Sequence, residues 1–401
     1  MQEEFAQLFD TFPEEEGRSR IQAFRERMYQ RSIDYTLVQV NVNLFYFTGT
    51  LQRGILVIPL RGEPGLLIQK AVERAELESP FPVRELKSMK QLPDHIRDMG
   101  LAAASRVGLE LQDVPASLFE KLRTLLSAGE CVNISEDILR VRSRKSPYEM
   151  EQIKRSAALT EKVFSVVPDY LREGMKEIEL AAALQAEGRI AGHQEIMRMR
   201  GLNQELTNPH LFAGTSAAAP SFGDVPLAGY GTTAAVAQGA SHRRIARKEP
   251  VIVDYGGGFN GYITDETRTF ALGGLDTDLV RAHTVAMEVA EYMERNSGPG
   301  MICRDLYREA VGIAEREGLG EHFMGYGRHR VRFVGHGIGL YINEYPLIGD
   351  VEDILEEGMV FAVEPKFVFP DKGAVGVEID LQVTENGAQR LTGSSLDIVY
   401  C

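Results

Sequence analysis

The sequence is poor in cysteine, in basic residues and in long apolar runs, and each shortage excludes a class of protein. Its three cysteines, Cys131, Cys303 and Cys401, are widely spaced and form no CxxC pair, which argues against a disulfide framework and fits a reducing compartment. A net charge of −14 argues against a nucleic-acid partner, because phosphate binding needs clustered Lys and Arg. No apolar run approaches the length that crosses a bilayer.

The N-terminal residues are acidic where a secretory signal needs a positive flank and an apolar core, so we expect a cytoplasmic protein. A length of 401 residues exceeds the usual size of a single domain. Strand-like and helical stretches alternate over about residues 18–129, which indicates an α/β domain with a mixed sheet. Ser146-Pro-Tyr-Glu149 has the pattern of a helix capping box and follows a basic segment. We therefore predict domains at residues 1–145 and 146–401.

The second domain is predicted to be α+β, with helices outside an antiparallel sheet. Helical spacing places helices near residues 176–188, 278–294 and 303–317, with strands between and after them. The stretch 201–239 is rich in Gly, Ala, Ser and Pro. It is expected to be loop with short strands that line a cleft.

A first acidic pair lies in a predicted β-hairpin over residues 251–270, where β-branched runs flank a glycine-rich turn. A two-residue loop at Phe259-Asn260 would place Asp254 directly opposite Asp265, and a loop at Asn260-Gly261 would make them diagonal neighbours. In either register both carboxylates share one face. Opposed Cβ atoms lie roughly 4.5–5.5 Å apart, which suits two cations held about 3.5–4 Å from each other.

A second acidic pair lies in a predicted hairpin over residues 359–384, with a three-residue loop at 370–372. This register places Glu364 opposite Glu378. Apolar residues alternate with them and occupy the other face of both strands. Two carboxylates that close repel each other unless they are protonated or bridged by cations, so the pair indicates a metal site.

A histidine completes the predicted ligand set, which is Asp254, Asp265, His336, Glu364 and Glu378. The glycines of Gly335-His-Gly-Ile-Gly339 allow unusual dihedrals and close approach of a substrate backbone. One imidazole among hard oxygen ligands favours Mn²⁺ or Co²⁺, with Zn²⁺ or Fe²⁺ as alternatives.

With these residues placed, the chain resembles the pita-bread metallopeptidases, which include Xaa-Pro aminopeptidases, prolidases and the metal-free creatinases. The segment Ile33-Asp-Tyr-Thr-Leu-Val with Asn43-Leu-Phe-Tyr-Phe-Thr-Gly49 is similar to a creatinase-type N-terminal domain. Residues 142–158 resemble the entry to the catalytic domain. The resemblance implies an α+β chain with a creatinase-like α/β domain, followed by a pita-bread domain with a curved antiparallel sheet.

The resemblance also implies roles for the five ligands. Asp265 and Glu378 would bridge two divalent ions, Asp254 would bind one ion, and His336 with Glu364 would bind the other. A hydroxide between the ions would be the nucleophile, and Glu364 would accept and return the proton. The implied activity is that of an Xaa-Pro aminopeptidase or dipeptidase, which acts on short peptides with proline after the first residue. The implied assembly is a homodimer.

The sequence departs from the family pattern at three positions. Asn343 stands where the peptidases carry a second histidine, and it can donate from its amide but cannot transfer a proton at neutral pH. Ala237 stands at the expected upstream histidine, and a loop shift would bring His242 there instead. Gly376 replaces a common arginine. Asn343 and His242 are therefore candidate catalytic residues beside Glu364.

Further charged residues have open interpretations. The alternation of Arg328, Arg330 and Arg332 places three cations on one face of a predicted strand. They would either bind an anionic group of the substrate or form a solvated edge. Arg268 is expected to stabilise the hairpin and its ligands. His193, His210 and His329 are further histidines that could replace the lost ones, with surface or loop positions as the alternative.

Two alternative functions remain open on the same scaffold. One is a lyase or non-peptide hydrolase, although the known metal-dependent lyases have an extra acid where this chain has Gly256. The other is a metal-binding protein that has lost hydrolysis, as Ala237, Asn343 and Gly376 suggest.

Overall fold

The computed structural model describes residues 8–101, 105–126 and 129–401. The chain divides into two compact units, Met1–Arg142 and Ser143–Cys401. A domain boundary after residue 145 stays a prediction.

The first unit is an α/β domain built on a six-stranded sheet. Its strands are β1 (Tyr35–Val38), β2 (Gly54–Pro59), β3 (Gly65–Ile68), β4 (Val83–Glu85), β5 (Arg106–Leu109) and β6 (Glu130–Asn133). Its helices are α1 (Glu14–Gln30), α2 (Asn41–Thr48), α3 (Val72–Glu78), α4 (Leu92–Asp98), α5 (Ala116–Leu126) and α6 (Ser135–Ser143). The order β4-β3-β2-β1-β5-β6 combines antiparallel pairs at β1–β2 and β2–β3 with parallel pairs at the other positions. The predicted mixed sheet is confirmed.

A buried glutamate follows β5 and holds the start of α2. Glu110 accepts hydrogen bonds from the backbone N–H groups of Gln39 at 2.6 Å and Val40 at 2.9 Å, and from Asn43 Nδ2 at 2.7 Å. These donors lie at a helix N-terminus, where N–H groups lack intrahelical partners and favour an anion. Burial nevertheless raises the pKa of Glu110 to about 7.

The second unit contains four helices and the remaining strands of the described chain. The helices are α7 (Pro147–Tyr170), α8 (Glu177–Ile190), α9 (Thr277–Asn296) and α10 (Cys303–Arg316). The strands are β7 (His210–Ala213), β8 (Pro250–Phe259), β9 (Tyr262–Ala271), β10 (Phe333–Gly337), β11 (Glu344–Gly349), β12 (Val360–Val363), β13 (Lys366–Phe369), β14 (Gly373–Gly376), β15 (Ile379–Thr384), β16 (Gly387–Arg390) and β17 (Val399–Tyr400).

These strands form three sheets, ordered β17-β9-β8-β7, β11-β10-β12-β15-β16 and β13-β14. All strand pairs are antiparallel except β17–β9. The sheets meet through hydrogen bonds, because Glu378 N donates to Thr267 O at 3.1 Å and Thr269 Oγ1 donates to Gly376 O at 2.8 Å. The predicted α+β class and the antiparallel sheets of the second unit are confirmed.

Helix α7 begins with the predicted capping box. Ser146 Oγ accepts from Glu149 N at 3.2 Å, and the Glu149 carboxylate accepts from Ser146 N at 3.1 Å. The helix packs on the hairpin β8–β9, where Ser156 Oγ lies 3.0 Å from Thr264 Oγ1. The predicted helices over 176–188, 278–294 and 303–317 correspond to α8, α9 and α10.

The largest apolar core of the second unit lies between α9, α10 and one face of strands β12–β15. Phe361, Val363 and Phe367 belong to it, as the predicted alternation requires. All three cysteines are free. Among the described residues, no helix combines the length and the apolar character needed to cross a bilayer.

Candidate metal centre

The hairpin β8–β9 turns at Asn260-Gly261. Both turn residues have positive φ, 47° and 87°, as a two-residue hairpin loop of this kind requires. The register pairs Asp254 with Thr267 and Gly256 with Asp265. Of the two predicted registers, the structure therefore has the one in which Asp254 and Asp265 are diagonal neighbours on one face.

The second hairpin has the predicted three-residue loop, because Phe369 pairs with Gly373. One register continues through both of its halves, with Val363 paired to Ile379 and Lys366 paired to Gly376. Glu364 and Glu378 lie between these pairs and hence opposite each other. The predicted opposition is confirmed, although the strands are interrupted at this point.

Strand β10 brings His336 to these carboxylates. His336 pairs with Ala362 of β12. Its Nε2 atom lies 3.7 Å from Glu364 Oε1, 3.9 Å from Glu378 Oε1 and 3.9 Å from Asp265 Oδ2. The five predicted ligands therefore come together from both arms of each hairpin and from β10.

The arrangement fits a divalent cation. Asp265, His336 and Glu378 each offer one ligand atom, and these atoms lie within 4.8 Å of one another. Asp265 Oδ1 and Glu378 Oε1 are buried and accept no hydrogen bond. Buried carboxylate oxygens are costly without a donor or cation, and one imidazole with carboxylates is a common transition-metal ligand set.

The carboxylates of this cluster are buried and repel each other, so a positive charge among them would stabilise their ionised forms. Burial, followed by the charges of Glu378 and Asp254, raises the pKa of Asp265 well above its ordinary value. Burial also raises the pKa of Glu364. A bound cation would oppose these shifts, because it favours the ionised carboxylates.

Lys366 is a residue of this centre that the sequence analysis missed. Its side chain is only 2% exposed, and Nζ donates to Glu364 Oε2 at 2.8 Å, Glu378 Oε2 at 2.9 Å and Asp254 Oδ2 at 3.3 Å. Burial alone would lower the pKa of Lys366, but these carboxylates outweigh it and raise the pKa well above its ordinary value. The strand alternation could have predicted this position, since Lys366 lies two residues after Glu364 and therefore on the same face of the strand.

A cavity of about 790 Å³ opens on the cluster. The predicted ligands and Lys366 line one part of it, and residues 217–228 line another, so the predicted cleft role of the loop 201–239 is confirmed.

Arg328, Arg330 and Arg332 also line the cavity. Their placement on a strand face was wrong, because Gly327–His329 is a 3₁₀ helix and β10 begins only at Phe333. Gly325 and Gly327, with φ of 112° and 53°, interrupt the extended backbone.

Asn343 lines the cavity, but both of its amide atoms are engaged. Oδ1 accepts from Arg200 N and Nδ2 donates to Arg200 O, each at 2.7 Å. The neighbouring Ile342 N donates to Arg198 O at 2.8 Å. The Asn343 side chain thus extends a backbone pairing between the loop after β10 and residues 198–200.

The structure does not bring His242 to the cavity. His242 is exposed and does not line the cavity. The preceding residue, Ser241, is held inward because its backbone N–H and its hydroxyl both donate to the carboxylate of Glu177, at 2.9 Å and 2.5 Å. The expected loop shift is therefore absent. Ala237 is also outside the lining residues.

Two other histidines do line the cavity, His210 and His329. His210 pairs with Asp254 across β7–β8, and its Nε2 atom is buried without a hydrogen-bond partner. Burial lowers the pKa of His210 to about 3, which keeps the ring neutral. His193 is instead a buried structural residue, with Nε2 lying 3.0 Å from Gly256 O.

Arg268 supports the ligands from behind, as expected. Its guanidinium donates to Glu378 O at 2.7 Å, Thr267 O at 2.9 Å and Glu266 Oε2 at 2.9 Å. Thr267 Oγ1 in turn donates to Glu378 Oε2 at 2.8 Å. Such outer contacts orient metal ligands.

Comparison with known families gives matches over both parts of the chain. Residues 151–385 match metallopeptidase family M24, and residues 20–144 match the creatinase/prolidase N-terminal domain. An Xaa-Pro dipeptidase of Pyrococcus furiosus is 27% identical over 385 residues, which cover 95% of this chain and 100% of that protein.

Solved structures are similar over the same extent. The prolidase from Pyrococcus horikoshii OT3 superposes with a TM-score of 0.79 at 25% identity, covering 95% of this chain and 100% of that one. An X-Pro aminopeptidase from Thermotoga maritima gives a TM-score of 0.78 at 23% identity, covering 95% and 99%. The second likeness concerns the fold alone.

Proposed function

The chain belongs to metallopeptidase family M24, and from this premise we propose that it is a metal-dependent exopeptidase that removes the N-terminal residue from short peptides. The observation that carries the proposal is the ligand cluster of buried Asp265 and Glu378 with half-buried His336 at the wall of a cavity of about 790 Å³. Cavities of roughly 300–1,000 Å³ hold ligands the size of a short peptide.

The charges of the cavity support a peptide with a free carboxylate. Arg328, Arg330 and Arg332 line the same cavity as the acidic cluster. Guanidinium groups bind carboxylates through paired, charge-assisted hydrogen bonds. A short peptide would place its scissile bond at the cluster and its C-terminal carboxylate among these arginines.

The metal, which we propose to be Mn²⁺ or Co²⁺, supplies a Lewis acid for the peptide carbonyl and makes water more acidic. Glu364 lines the cavity and is the proposed proton acceptor and donor, because it lies beside the cluster with Oε1 free of the lysine. We assign Asn343 a positioning role, since both of its amide atoms bind Arg200. The neutral ring of His210 is the better candidate for a hydrogen bond to substrate.

Specificity and assembly are finer parts of the proposal. The name of the Pyrococcus furiosus relative, Xaa-Pro dipeptidase, supports a preference for proline after the first residue. The free cysteines support a cytoplasmic location. Family resemblance supports a homodimer, for which light scattering is the test.

The test of function is a peptide panel offered to protein loaded with Mn²⁺ or Co²⁺ and checked for bound metal. We expect release of the N-terminal amino acid from Xaa-Pro dipeptides and tripeptides. C-terminally amidated dipeptides should react more slowly, because they lack the carboxylate that the arginines would bind. Glu364→Gln is the matched inactive variant. Absence of release from every peptide by metal-loaded protein would refute the proposal.

A second candidate is a hydrolase or lyase that acts on a non-peptide substrate. The engagement of Asn343 with Arg200 favours it, since one N–H of Nδ2 is committed to Arg200 O and this side chain cannot transfer a proton at neutral pH. Carbon–nitrogen or carbon–sulfur cleavage by metal-loaded protein, together with an inactive peptide panel, would select this candidate.

A further inference from the structure

The backbone of β13 delivers Lys366 to the ligand cluster. Phe367 and Phe369 turn toward the apolar core, so the alternate position of Lys366 points to the opposite face, as Glu364 does. The strand is held on both sides at this residue. Lys366 pairs with Gly376, and Lys366 O accepts from Met324 N at 2.8 Å.

Gly376 leaves the space that Lys366 needs. A Cβ atom at position 376 would lie 2.5 Å from Pro365 O, 2.8 Å from Lys366 Cα and 2.9 Å from Lys366 Cγ. Any larger residue there would displace the backbone of Pro365 and Lys366 together with the lysine side chain. The absence of a side chain at Gly376 and the presence of an ammonium in the cluster are therefore two parts of one arrangement.

The hydrogen bonds of Lys366 divide the cluster in two. Nζ donates to one carboxylate oxygen of each of three residues, Asp254, Glu364 and Glu378. Among the five predicted ligands, the buried oxygens that accept no hydrogen bond are Asp265 Oδ1 and Glu378 Oε1. Among residues 8–101, 105–126 and 129–401, the one group of three close ligand atoms is that of Asp265, His336 and Glu378.

We propose that the centre binds a single divalent cation at Asp265, His336 and Glu378, and that the Lys366 ammonium replaces a second cation against Asp254, Glu364 and Glu378. A second ion would repel the ammonium at short range. Displacing Lys366 would leave a buried charge without partners, which is strongly unfavourable. The proposal rests on the metal-binding part of the proposed function and replaces the two-ion expectation.

Metal stoichiometry tests this directly. Full-length protein is saturated with Mn²⁺, freed of excess ion and measured for manganese per chain, and its paramagnetic resonance spectrum is recorded. We expect one ion per chain with the spectrum of isolated Mn²⁺. Lys366→Met should bind two ions and give the spectrum of a coupled pair. Lys366→Arg keeps the charge and should remain at one ion.

The matched control is Lys372→Met, which removes a lysine of the same hairpin that binds exposed Asp278 and Asp276, and it should also bind one ion. Two ions or none per wild-type chain would overturn the proposal, even if Lys366→Met fails to fold. A folded Lys366→Met that still binds one ion would also overturn it. One ion per chain with an inactive peptide panel would refute only the proposed peptidase activity.

Discussion

In the first unit the buried carboxylate of Glu110 accepts three hydrogen bonds from Gln39, Val40 and Asn43, whereas in the second unit Asp265 and Glu378 each keep a buried oxygen without a donor. All three side chains are acidic and buried. The difference lies in how their charge is compensated. A carboxylate satisfied by fixed donors stabilises a fold, and one left partly unsatisfied among others is suited to bind a cation.

The largest effect is expected from Asp265→Asn. Metal affinity should fall by at least about 10²-fold, because loss of even outer partners of a metal site costs about 10–100-fold. Metal content after dialysis and calorimetric titration with Mn²⁺ measure this. Glu110→Gln is the control and should bind metal as wild type does. Unchanged affinity in Asp265→Asn would contradict the assignment of the ligands.

Glu110→Ala should lower the free energy of unfolding of the first unit by about 3 kcal/mol, because each buried donor left without a partner costs about 1–3 kcal/mol. Metal binding should not change. Chemical denaturation followed by circular dichroism measures the loss. Glu120→Ala removes an exposed carboxylate paired with Arg123, and it should be close to neutral. Equal effects of the two substitutions would show that burial of Glu110 is irrelevant to stability.

Asn343→Ala should cost about 1–2 kcal/mol of stability, since two hydrogen bonds to the backbone of Arg200 are lost and each contributes about 0.5–1.5 kcal/mol. This side chain lies at the cavity, but its amide oxygen and nitrogen both bind Arg200, so we group it with the hydrogen-bonded Glu110. Manganese per chain should remain at the wild-type value. A loss of bound metal without a loss of stability would instead group Asn343 with the metal-binding residues Asp265 and Glu378.

The smallest effect concerns pH. Folding raises the pKa of Glu110 from 4.5 to about 7, so the folded chain binds this proton more tightly than the unfolded chain. The resulting stabilisation is complete below pH 4.5 and is lost as the pH rises through about 7. The melting temperature of Glu110→Gln should therefore decline less than that of wild type between about pH 5 and 8. Parallel profiles would argue against a protonated Glu110.

Local patterns predicted much of the fold and the candidate site. The hairpin register around Glu364 and Glu378 followed from alternation and loop length, and α7 followed from the capping box at Ser146. The choice between the two registers of Asp254 and Asp265 needed the structure, because both satisfied the same alternation. The strand predicted through Arg328 and Arg332 was wrong, because glycines with positive φ break the extended backbone there.

Residues of the centre were missed where their meaning depends on distant partners. Lys366 was read as part of a strand, although its parity matched that of Glu364. Its contact with Asp254 spans 112 residues, and that of Asn343 with Arg200 spans 143. His242 was placed near the centre by its position along the chain, and the inward anchoring of Ser241 by Glu177 decides otherwise.

The sequence by itself determined the acidic pairs, their hairpins and the family, because alternation, turns and motifs are encoded within a few residues of one another. Only the tertiary structure decided which groups balance the buried negative charge. That balance depends on distances between residues far apart in the chain, and the energy of a buried charge changes steeply with the position of its nearest partner. The ammonium of Lys366 within the carboxylate cluster is the clearest instance.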